Sequence, residues 1–330
     1  MQSRRILTEF PDSSPPAETL RDAVRSLAGA FHAAGLETPD LDARRLVLEI
    51  LSLDGTALLR KPDRPLDAKE QQRLAEARIR RLGREPVSRI LGTRAFHGLD
   101  LEIAPATLDP RPDTETLVDG ILKLVAEGRV PGGDAPRILD IGTGSGAILI
   151  ALLHELPKAS GFGTDISAPA LAVAERNAAR YGVSGRSRFK RTSWLDGIDS
   201  RFDLIVSNPP YIPTRDLPAL EPEVALFDPE AALDGGLDGL VAYRAIANGL
   251  RGCIAPGGWV AVEVGVGQSD DVTAILANCL RNGLDHDDGS AHVWYDLGGI
   301  ARCVAREARA GAIDRALADE VYQKQKNTWN

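Results

Sequence analysis

The sequence predicts an α/β domain built on a parallel sheet, preceded by a small helical domain and a β-hairpin. From about residue 113, apolar strand-like runs alternate with helical stretches, which is the pattern of a parallel sheet covered on both faces. Before that point, apolar residues recur at helical spacing. The 330 residues also exceed one ordinary core, which indicates roughly two domains.

The helical block follows a polar leader, residues 1–16, that contains no apolar segment typical of a secretory signal. We expect a helical domain over residues 17–90. Its apolar positions are Leu20, Val24, Leu27 and Phe31, then Leu41, Leu46, Ile50 and Leu51. A third helix is expected to start near Asp67 and to stop by Gly83. Apolar residues at 96, 99, 101 and 103 predict a hairpin within a linker over residues 91–109.

Several strands are predicted in the remaining chain, which we assign to a domain over residues 110–307. Their ranges are 137–141, 161–166, 188–192, 202–206 and 259–264, with a last strand or strand pair at 293–305. A helix is predicted over 168–181. Residues 308–330 read as a polar C-terminal tail.

Composition excludes several classes of function. The net charge of -8 gives no global attraction to nucleic acid or an anionic membrane. No apolar run approaches the roughly 18 residues needed to span a bilayer. Three widely spaced cysteines and scattered histidines fit neither a disulfide framework nor a metal site. We therefore expect a cytoplasmic protein without a metal.

One segment departs from the overall charge. Between Arg60 and Arg94 there are eleven Lys or Arg against five Asp or Glu. Such a segment is either a solvated helix face or a contact surface for an acidic partner or RNA.

A glycine loop follows the first predicted strand of the large domain. Its residues are Asp140, Ile141, Gly142, Thr143, Gly144, Ser145, Gly146 and Ala147. The pattern fits a dinucleotide, with Asp165 placed to bind the ribose hydroxyls. It fits S-adenosylmethionine equally well, with Asp165 in the same role. The loop alone leaves both cofactors open.

A second motif, Asn208-Pro209-Pro210-Tyr211, follows the predicted strand 202–206. The two prolines stiffen the turn and leave carbonyl oxygens free to accept hydrogen bonds. An amide held rigidly there could bind another planar NH2 group. Tyr211 either packs on a bound side chain or fills the core beside the turn.

The order of strands brings these two motifs together. In open parallel sheets, ligands bind outside the carboxyl ends of the strands, so the glycine loop and the Asn208 turn should face one crevice. A nicotinamide enzyme would usually place a His, Lys or Tyr acid or base beside its cofactor, and only Tyr211 follows Asn208. Methyl transfer from a sulfonium needs no such group, which favours S-adenosylmethionine.

At this point the sequence resembles the peptide chain release factor N(5)-glutamine methyltransferases, the HemK/PrmC family, over residues 17–307. The residues that carry the resemblance are Glu85 to Val87, Ile90 to Gly92, Phe96 to Leu99, Pro110 to Glu115, the glycine loop, Asn208 to Tyr211 and Asp296 to Gly299. Related ribosomal-protein glutamine methyltransferases share the Asn208 turn but carry Pro-Arg-Ser-Pro where this chain has Pro110 to Asp113. That difference favours release factors as substrate.

The resemblance implies a Rossmann-like class I methyltransferase with a mostly parallel seven-stranded sheet and an N-terminal substrate-binding domain. It implies that cofactor contacts come from Gly142, Thr143, Gly144, Ser145, Gly146, Asp165, Trp194 and Asn208. It assigns the catalytic role to Asn208, Pro209 and Tyr211, and substrate binding to Asn208, Pro209, Pro210 and Tyr211. The acceptor implied is a glutamine in a Gly-Gly-Gln loop. Ser193 and Asp228 stand where many relatives carry an acid and a glutamate, respectively.

Three readings remain open. Protein glutamine methylation by a monomer, with release factors as partners and no membrane, is the leading one. Methylation of the exocyclic amine of adenine in DNA or RNA is the second, because Asn208 to Tyr211 could bind that planar NH2 group in the same way. The net negative charge of the chain makes nucleic acid an unfavoured substrate. A non-catalytic cofactor-binding protein is the third. The cluster of Arg111, Asp113 and Glu115 is expected to cap a helix through Thr114 or to line the crevice.

Overall fold

The computed structural model describes residues 18–280 and 291–308, in two compact units that divide between Leu91 and Gly92. The predicted leader, and the predicted tail beyond Ala308, lie outside these residues. Ala308 itself is buried and exchanges backbone hydrogen bonds with Gly257 and Gly258.

The first unit is helical. Its helices are α1 (Leu20–Ala33), α2 (Pro39–Ile50), α3 (Ala57–Arg60), α4 (Ala68–Leu82) and α5 (Val87–Leu91). Both α1 and α4 begin with a capping box, in which an N-cap side chain and the third helical residue bond each other's backbone N–H. The predicted α4 is confirmed, with Asp67 as its N-cap and Gly83 at its end.

Apolar side chains of α1, α2 and α4 form the core of this unit. Leu20, Phe31 and Leu46 are fully buried. Leu41 was expected inward, but it is 63% exposed, because the inward position on that turn of α2 is taken by Ala43. A buried ion pair of 2.8 Å joins Arg81 of α4 to Asp42 of α2.

Part of the basic segment is neutralised inside the first unit. Arg81 bonds Asp42, Arg64 bonds Glu70 at 2.9 Å, and Arg80 bonds Glu85. These arginines serve the fold rather than standing as a solvated row. Arg89 is buried as well, and Arg94 donates to the carbonyl of Pro110 at 3.0 Å, so simple surface charge describes only part of the segment.

The second unit begins with the hairpin β1 (Thr93–Phe96) and β2 (Leu99–Glu102). Its further helices are α6 (Glu115–Ala126), α7 (Ala147–Glu155), α8 (Ala168–Arg180), α9 (Pro222–Ala225), α10 (Val241–Cys253) and α11 (Ser269–Leu280). Its further strands are β3 (Arg137–Ile141), β4 (Ser160–Asp165), β5 (Ser187–Arg191), β6 (Phe202–Ser207), β7 (Ile254–Glu263), β8 (Ala291–Tyr295) and β9 (Ala301–Glu307).

These strands form a seven-stranded sheet in the order β5-β4-β3-β6-β7-β9-β8, as far as the described residues show. The first five in this order run parallel, and β9 is antiparallel to both neighbours. The mostly parallel sheet is confirmed. One boundary was wrong: β7 starts at Ile254 rather than near 259, because Ile254 pairs with Phe202 before the register shifts.

Two apolar clusters cover the two faces of this sheet. β3 and β6 are buried along their whole length and lie at its centre. Ile141 pairs with Ser207, whose Oγ donates to the carbonyl of Ile141 at 2.7 Å. The segments after β3 and β6 therefore leave the sheet side by side. Within the described chain, no helix combines the length and apolarity needed to cross a bilayer.

Candidate active site

A cavity of about 290 Å³ opens at the carboxyl edge of β3, β4 and β6. It is lined by Gly142 to Ser145, Ala147 and Ile148 after β3, by Asp165 to Ser167 after β4, by Asn208 and Pro210 after β6, by Ala106, Leu108, Pro110 and Thr114, and by Pro229, Ala231 and Ala232. A larger groove of about 910 Å³ runs along α6 and β8, and Asp113 and Glu115 line it, but it contains none of the predicted cofactor-binding or substrate-binding residues. The smaller cavity therefore unites the glycine loop with the Asn208 turn.

The glycine loop is fixed from both sides. Gly146 precedes α7 with φ +83°, where an added Cβ would lie 2.7 Å from Cδ1 of Ile150 and 3.2 Å from Cβ of Ala174. Glycine is favoured there, because a side chain would strain the backbone at this φ and would crowd Ile150 of α7 and Ala174 of α8. Gly144, with φ +57°, faces open space instead.

A fully buried amide, that of Asn177, ties the loop to the hairpin. Its Nδ2 donates to the carbonyls of Ser145 and Glu102, both at 2.9 Å, and its Oδ1 accepts from the N–H of Glu102 at 2.8 Å. Sequence reasoning missed Asn177. The available signal was a polar residue at an apolar position of α8.

Asp165 ends β4 and stands on the cavity wall, as predicted. Its Oδ2 accepts from the N–H of Gly144 at 2.9 Å, and its Oδ1 from the N–H of Ser167 at 2.8 Å. The two backbone donors fix the carboxylate in one orientation. Each oxygen keeps a lone pair, so the group can still accept hydrogen bonds from ligand hydroxyls.

Asp140, at the start of the loop motif, is fully buried beneath it. Burial, together with the charge of Asp165, raises the pKa of Asp140 to about 7, against a hydrogen bond from Thr143 that lowers it. That bond, from Oγ1 of Thr143 to Oδ2 of Asp140, measures 2.6 Å. Asp140 therefore holds the loop in place from inside the protein.

In the Asn208 turn, Asn208 and Pro210 line the cavity while Pro209 is buried behind them. The Nδ2 of Asn208 donates to Oγ1 of Thr114 at 3.2 Å. The NH2 end of the amide thus faces Thr114, which leaves Oδ1 as its acceptor on the cavity side.

A buried acid, Glu263, lies behind this amide at the end of β7. Its side chain is 2% exposed. Burial raises the pKa of Glu263 to about 7, and hydrogen bonding by Thr114 and Asn208 opposes the rise. Sequence reasoning missed both Glu263 and Thr114 as site residues. A glutamate that ends an apolar strand at the binding edge was the available signal.

The charged cluster of Arg111, Asp113 and Glu115 neither caps α6 through Thr114 nor lines the cavity. Thr114 makes no side-chain cap for α6, so that expectation was wrong, because its hydroxyl is engaged by Asn208. Arg111 instead bonds Oδ2 of Asp228 at 2.6 Å, and Oδ1 of Asp228 accepts from the N–H of Asp109 at 3.2 Å. Asp228 thus ties the loop around Pro110 to the loop that begins at Pro229.

The motif Asp296 to Gly299 forms the turn between β8 and β9. Asp296 accepts from the N–H groups of Gly298 and Ile300, at 2.8 and 2.9 Å, and pairs with Arg302 at 2.7 Å. Arg302 in turn lies 2.8 Å from Asp113. The motif therefore anchors the segment that carries Thr114.

Four predicted residues do not line the cavity. Gly146 shapes the loop from behind, and Pro209 is buried. Tyr211 packs its ring on the core cluster of one sheet face, as does Trp194, which adopts a positive φ of 48°. Such a φ is uncommon for a non-glycine residue and is frequent near functional sites. Their assigned contacts with cofactor or substrate stay predictions.

Comparisons with known proteins place the chain in a family. The PrmC N-terminal domain model matches residues 22–92, and the methyltransferase small domain model matches residues 122–219. A release factor glutamine methyltransferase of Bradyrhizobium diazoefficiens is 48% identical over 78% of this chain and 86% of its own length. The chain belongs to the release factor glutamine methyltransferase family. The family member from Rhodospirillum rubrum is 47% identical over 87% of this chain and 84% of its own length.

The fold agrees with that membership. The solved catalytic domain of hMettl16, in complex with the MAT2A 3′UTR hairpin 6, superposes with a TM-score of 0.50 at 15% identity. The match covers 74% of this chain and 83% of that domain. At such low identity the similarity concerns the fold alone. The resemblance inferred from the motifs is confirmed, and the fold is that of the class I methyltransferases.

Proposed function

We propose that this chain transfers a methyl group from S-adenosylmethionine to the side-chain amide nitrogen of a glutamine in peptide chain release factors. The observation that carries the proposal is the shared cavity of the glycine loop and the Asn208 amide, in a chain of this family. The same proposal assigns the helical unit, matched by the PrmC N-terminal domain model, to binding the release factor.

The residues of the cavity suit S-adenosylmethionine. Asp165 presents a fixed carboxylate to the two ribose hydroxyls, while Leu108 and Ile166 offer apolar surface to the adenine ring. Gly144 leaves its backbone open toward the methionine part. When bound, the cofactor supplies an electrophilic methyl group on a sulfonium.

The reaction requires the substrate amide to be held in a precise orientation. A carboxamide nitrogen is a poor nucleophile, because its lone pair is delocalised by the resonance that gives an amide bond a rotation barrier of about 18–20 kcal/mol. We assign Oδ1 of Asn208 and the carbonyl of Pro209 to accept one N–H each from the glutamine amide. Those two bonds aim the nitrogen along the line of displacement.

The proposed transfer does not require the protein to supply a strong base. As the N–CH3 bond forms, the S–CH3 bond breaks, and the nitrogen becomes acidic enough to release a proton afterwards. No strong base is required before transfer. Positioning can supply up to roughly 7–11 kcal/mol of the barrier reduction. We therefore assign most of the rate acceleration to the rigid turn at Pro209 and Pro210, which holds the substrate amide in place.

Partner and compartment follow from the substrate. We propose that the chain acts as a monomer on its protein substrate in the cytoplasm, where release factors work in translation. Some arginines of the helical unit, among them Arg73 and Arg78, are exposed and belong to none of the ion pairs described above. Sedimentation of the purified chain would test the monomer.

The direct test is a methylation assay. The purified chain is incubated with labelled S-adenosylmethionine and a release factor, and the modified residue is mapped by mass spectrometry. A release factor whose Gly-Gly-Gln glutamine is changed to another residue is the control. Label on that glutamine alone is expected. Label on a different residue, or on nucleic acid only, would refute the proposal.

A further inference from the structure

The Asn208 turn has few backbone donors with which to hold itself, because two of its four residues are prolines. Pro209 and Pro210 have no N–H, so this part of the chain must be fixed largely through its carbonyl groups. The carbonyl of Tyr211, directly after Pro210, accepts from Nε2 of Gln268 at 3.0 Å. Gln268 lies just before α11, 57 positions further along the chain. A side chain from a distant loop therefore fixes the end of the turn.

The amide of Gln268 is itself held in one orientation. Its Oε1 accepts from the N–H of Gly265 at 3.0 Å, and its Nε2 donates to the carbonyls of Tyr211 and Gly239, at 3.0 and 3.5 Å. A reversed amide would place its NH2 group against an N–H and its oxygen against two carbonyls, which would satisfy none of these groups. The donor side of Gln268 therefore points at Tyr211.

Two glycines leave room for this contact. An added Cβ on Gly239, whose φ is +75°, would overlap the carbonyl oxygen of Tyr211 and lie 2.5 Å from Nε2 of Gln268. An added Cβ on Gly265 would lie 2.7 Å from Oε1 of Gln268 and 3.0 Å from Cδ2 of Tyr211. A methyl group at either position would thus crowd the bond between Gln268 and Tyr211. The backbone closes tightly around that bond from two loops.

The turn is also joined to another part of the cavity wall. Ile212, the residue after Tyr211, donates its N–H to the carbonyl of Leu233 at 3.0 Å, and its own carbonyl accepts from the N–H of Gly235 at 2.8 Å. The loop segment that carries these partners begins with residues 231–232, which line the cavity. The turn and this wall of the cavity therefore form one hydrogen-bonded unit, which the amide described above ties to the loop after β7.

We infer that Gln268 is a positioning residue for methyl transfer, because its bond to the Tyr211 carbonyl fixes the orientation of the Asn208 turn. In that orientation, Oδ1 of Asn208 and the carbonyl of Pro209 meet the substrate amide. The prolines permit little change of φ, so a rotation at Tyr211 is passed back to these two acceptors. Gln268 does not line the cavity and acts through the turn. The inference rests on the proposed function.

Two substitutions remove the donor and keep the approximate length of the side chain. Gln268→Met replaces the amide with an apolar group. Gln268→Glu keeps the shape but, ionised at about pH 8, presents acceptors to the carbonyls of Tyr211 and Gly239. Each should lower kcat for methylation of a release factor by about tenfold, as expected for one lost polar contact. Binding of S-adenosylhomocysteine, measured by calorimetry, should stay within about twofold of wild type, because the glycine loop and Asp165 are unchanged.

The control separates positioning from folding. Ser187→Ala removes a hydroxyl that also bonds a backbone carbonyl, that of Val183, at 3.1 Å at the amino end of β5. It should lower the melting temperature as Gln268→Met does and leave kcat unchanged. If Gln268→Met instead weakened S-adenosylhomocysteine binding as much as it lowered kcat, the side chain would merely support the fold, and the inference would be wrong.

A double variant tests whether Gln268 acts through the turn. The combination of Gln268→Met with Asn208→Ala should lose clearly less kcat than the product of the two single losses. Fully multiplicative losses, or wild-type kcat in Gln268→Met, would overturn the inference. Should Gln268→Met fail to fold, Gln268→Glu takes its place in each comparison. A wild-type chain that methylates no glutamine would instead refute the proposed function.

Discussion

Replacing Gly146 by alanine tests how the glycine loop is held. Two costs arise at this position. An L-residue at φ +83° loses about 1–2 kcal/mol. The added Cβ also meets Cδ1 of Ile150 at 2.7 Å and Cβ of Ala174 at 3.2 Å, and overpacking of this kind costs about 1–3 kcal/mol. We therefore expect the free energy of unfolding to fall by about 2–5 kcal/mol.

Gly182 provides the matched control, because its φ is +69° and an added Cβ would meet no atom within 4 Å. Gly182→Ala carries the conformational cost alone. Urea unfolding of both variants should show Gly146→Ala to be less stable by about 1–3 kcal/mol. It should also weaken S-adenosylhomocysteine binding, since α7 and the loop shift together. Equal destabilisation of the two variants would refute the crowding at Gly146 by Ile150 and Ala174.

Four further predictions concern the cavity. Asn208→Ala should lower kcat on the order of 100-fold with cofactor affinity nearly unchanged, measured by steady-state kinetics and calorimetry. Asp165→Ala should raise the Kd for S-adenosylhomocysteine at least about tenfold, because the carboxylate that accepts from the ribose is gone. Asp228→Asn should loosen the Pro110 loop held by Arg111 and raise the same Kd about tenfold in calorimetry; an unchanged Kd would contradict that role. The pKa of Glu263 is raised to about 7 in the folded state, so the unfolded state ionises first as pH rises. The free energy of unfolding should therefore fall between about pH 4.5 and 7, on the order of 3 kcal/mol. Glu263→Gln should flatten this fall in urea unfolding at several pH values.

The parallel sheet could be predicted because local pattern decides it. β3 and β6 are short apolar runs buried on both faces, and such runs read as central strands without knowledge of their neighbours. The start of β7 could not be predicted, because it depends on Ile254 pairing with Phe202 across the sheet.

The same distinction, between features set by local pattern and features set by the tertiary fold, applies to the residues of the candidate site. Asp165, Asn208 and the glycine loop follow strands, so strand order alone placed them at one edge. Thr114 and Glu263 lie on the segment before α6 and at the end of β7, and only the fold brings them behind Asn208. The hydrogen bond between Thr114 and Asn208 joins residues 94 positions apart, which no local pattern encodes.

The central claim is that one cavity holds a sulfonium cofactor and a glutamine amide in contact. A crystal structure of the chain with S-adenosylhomocysteine and a glutamine-containing peptide tests it most directly. We predict that the cofactor lies along Gly142 to Ser145 with its ribose on Asp165, and that the glutamine NH2 group bonds Oδ1 of Asn208 while facing the sulfur. A glutamine side chain bound away from Asn208, or a cofactor outside this cavity, would contradict the account.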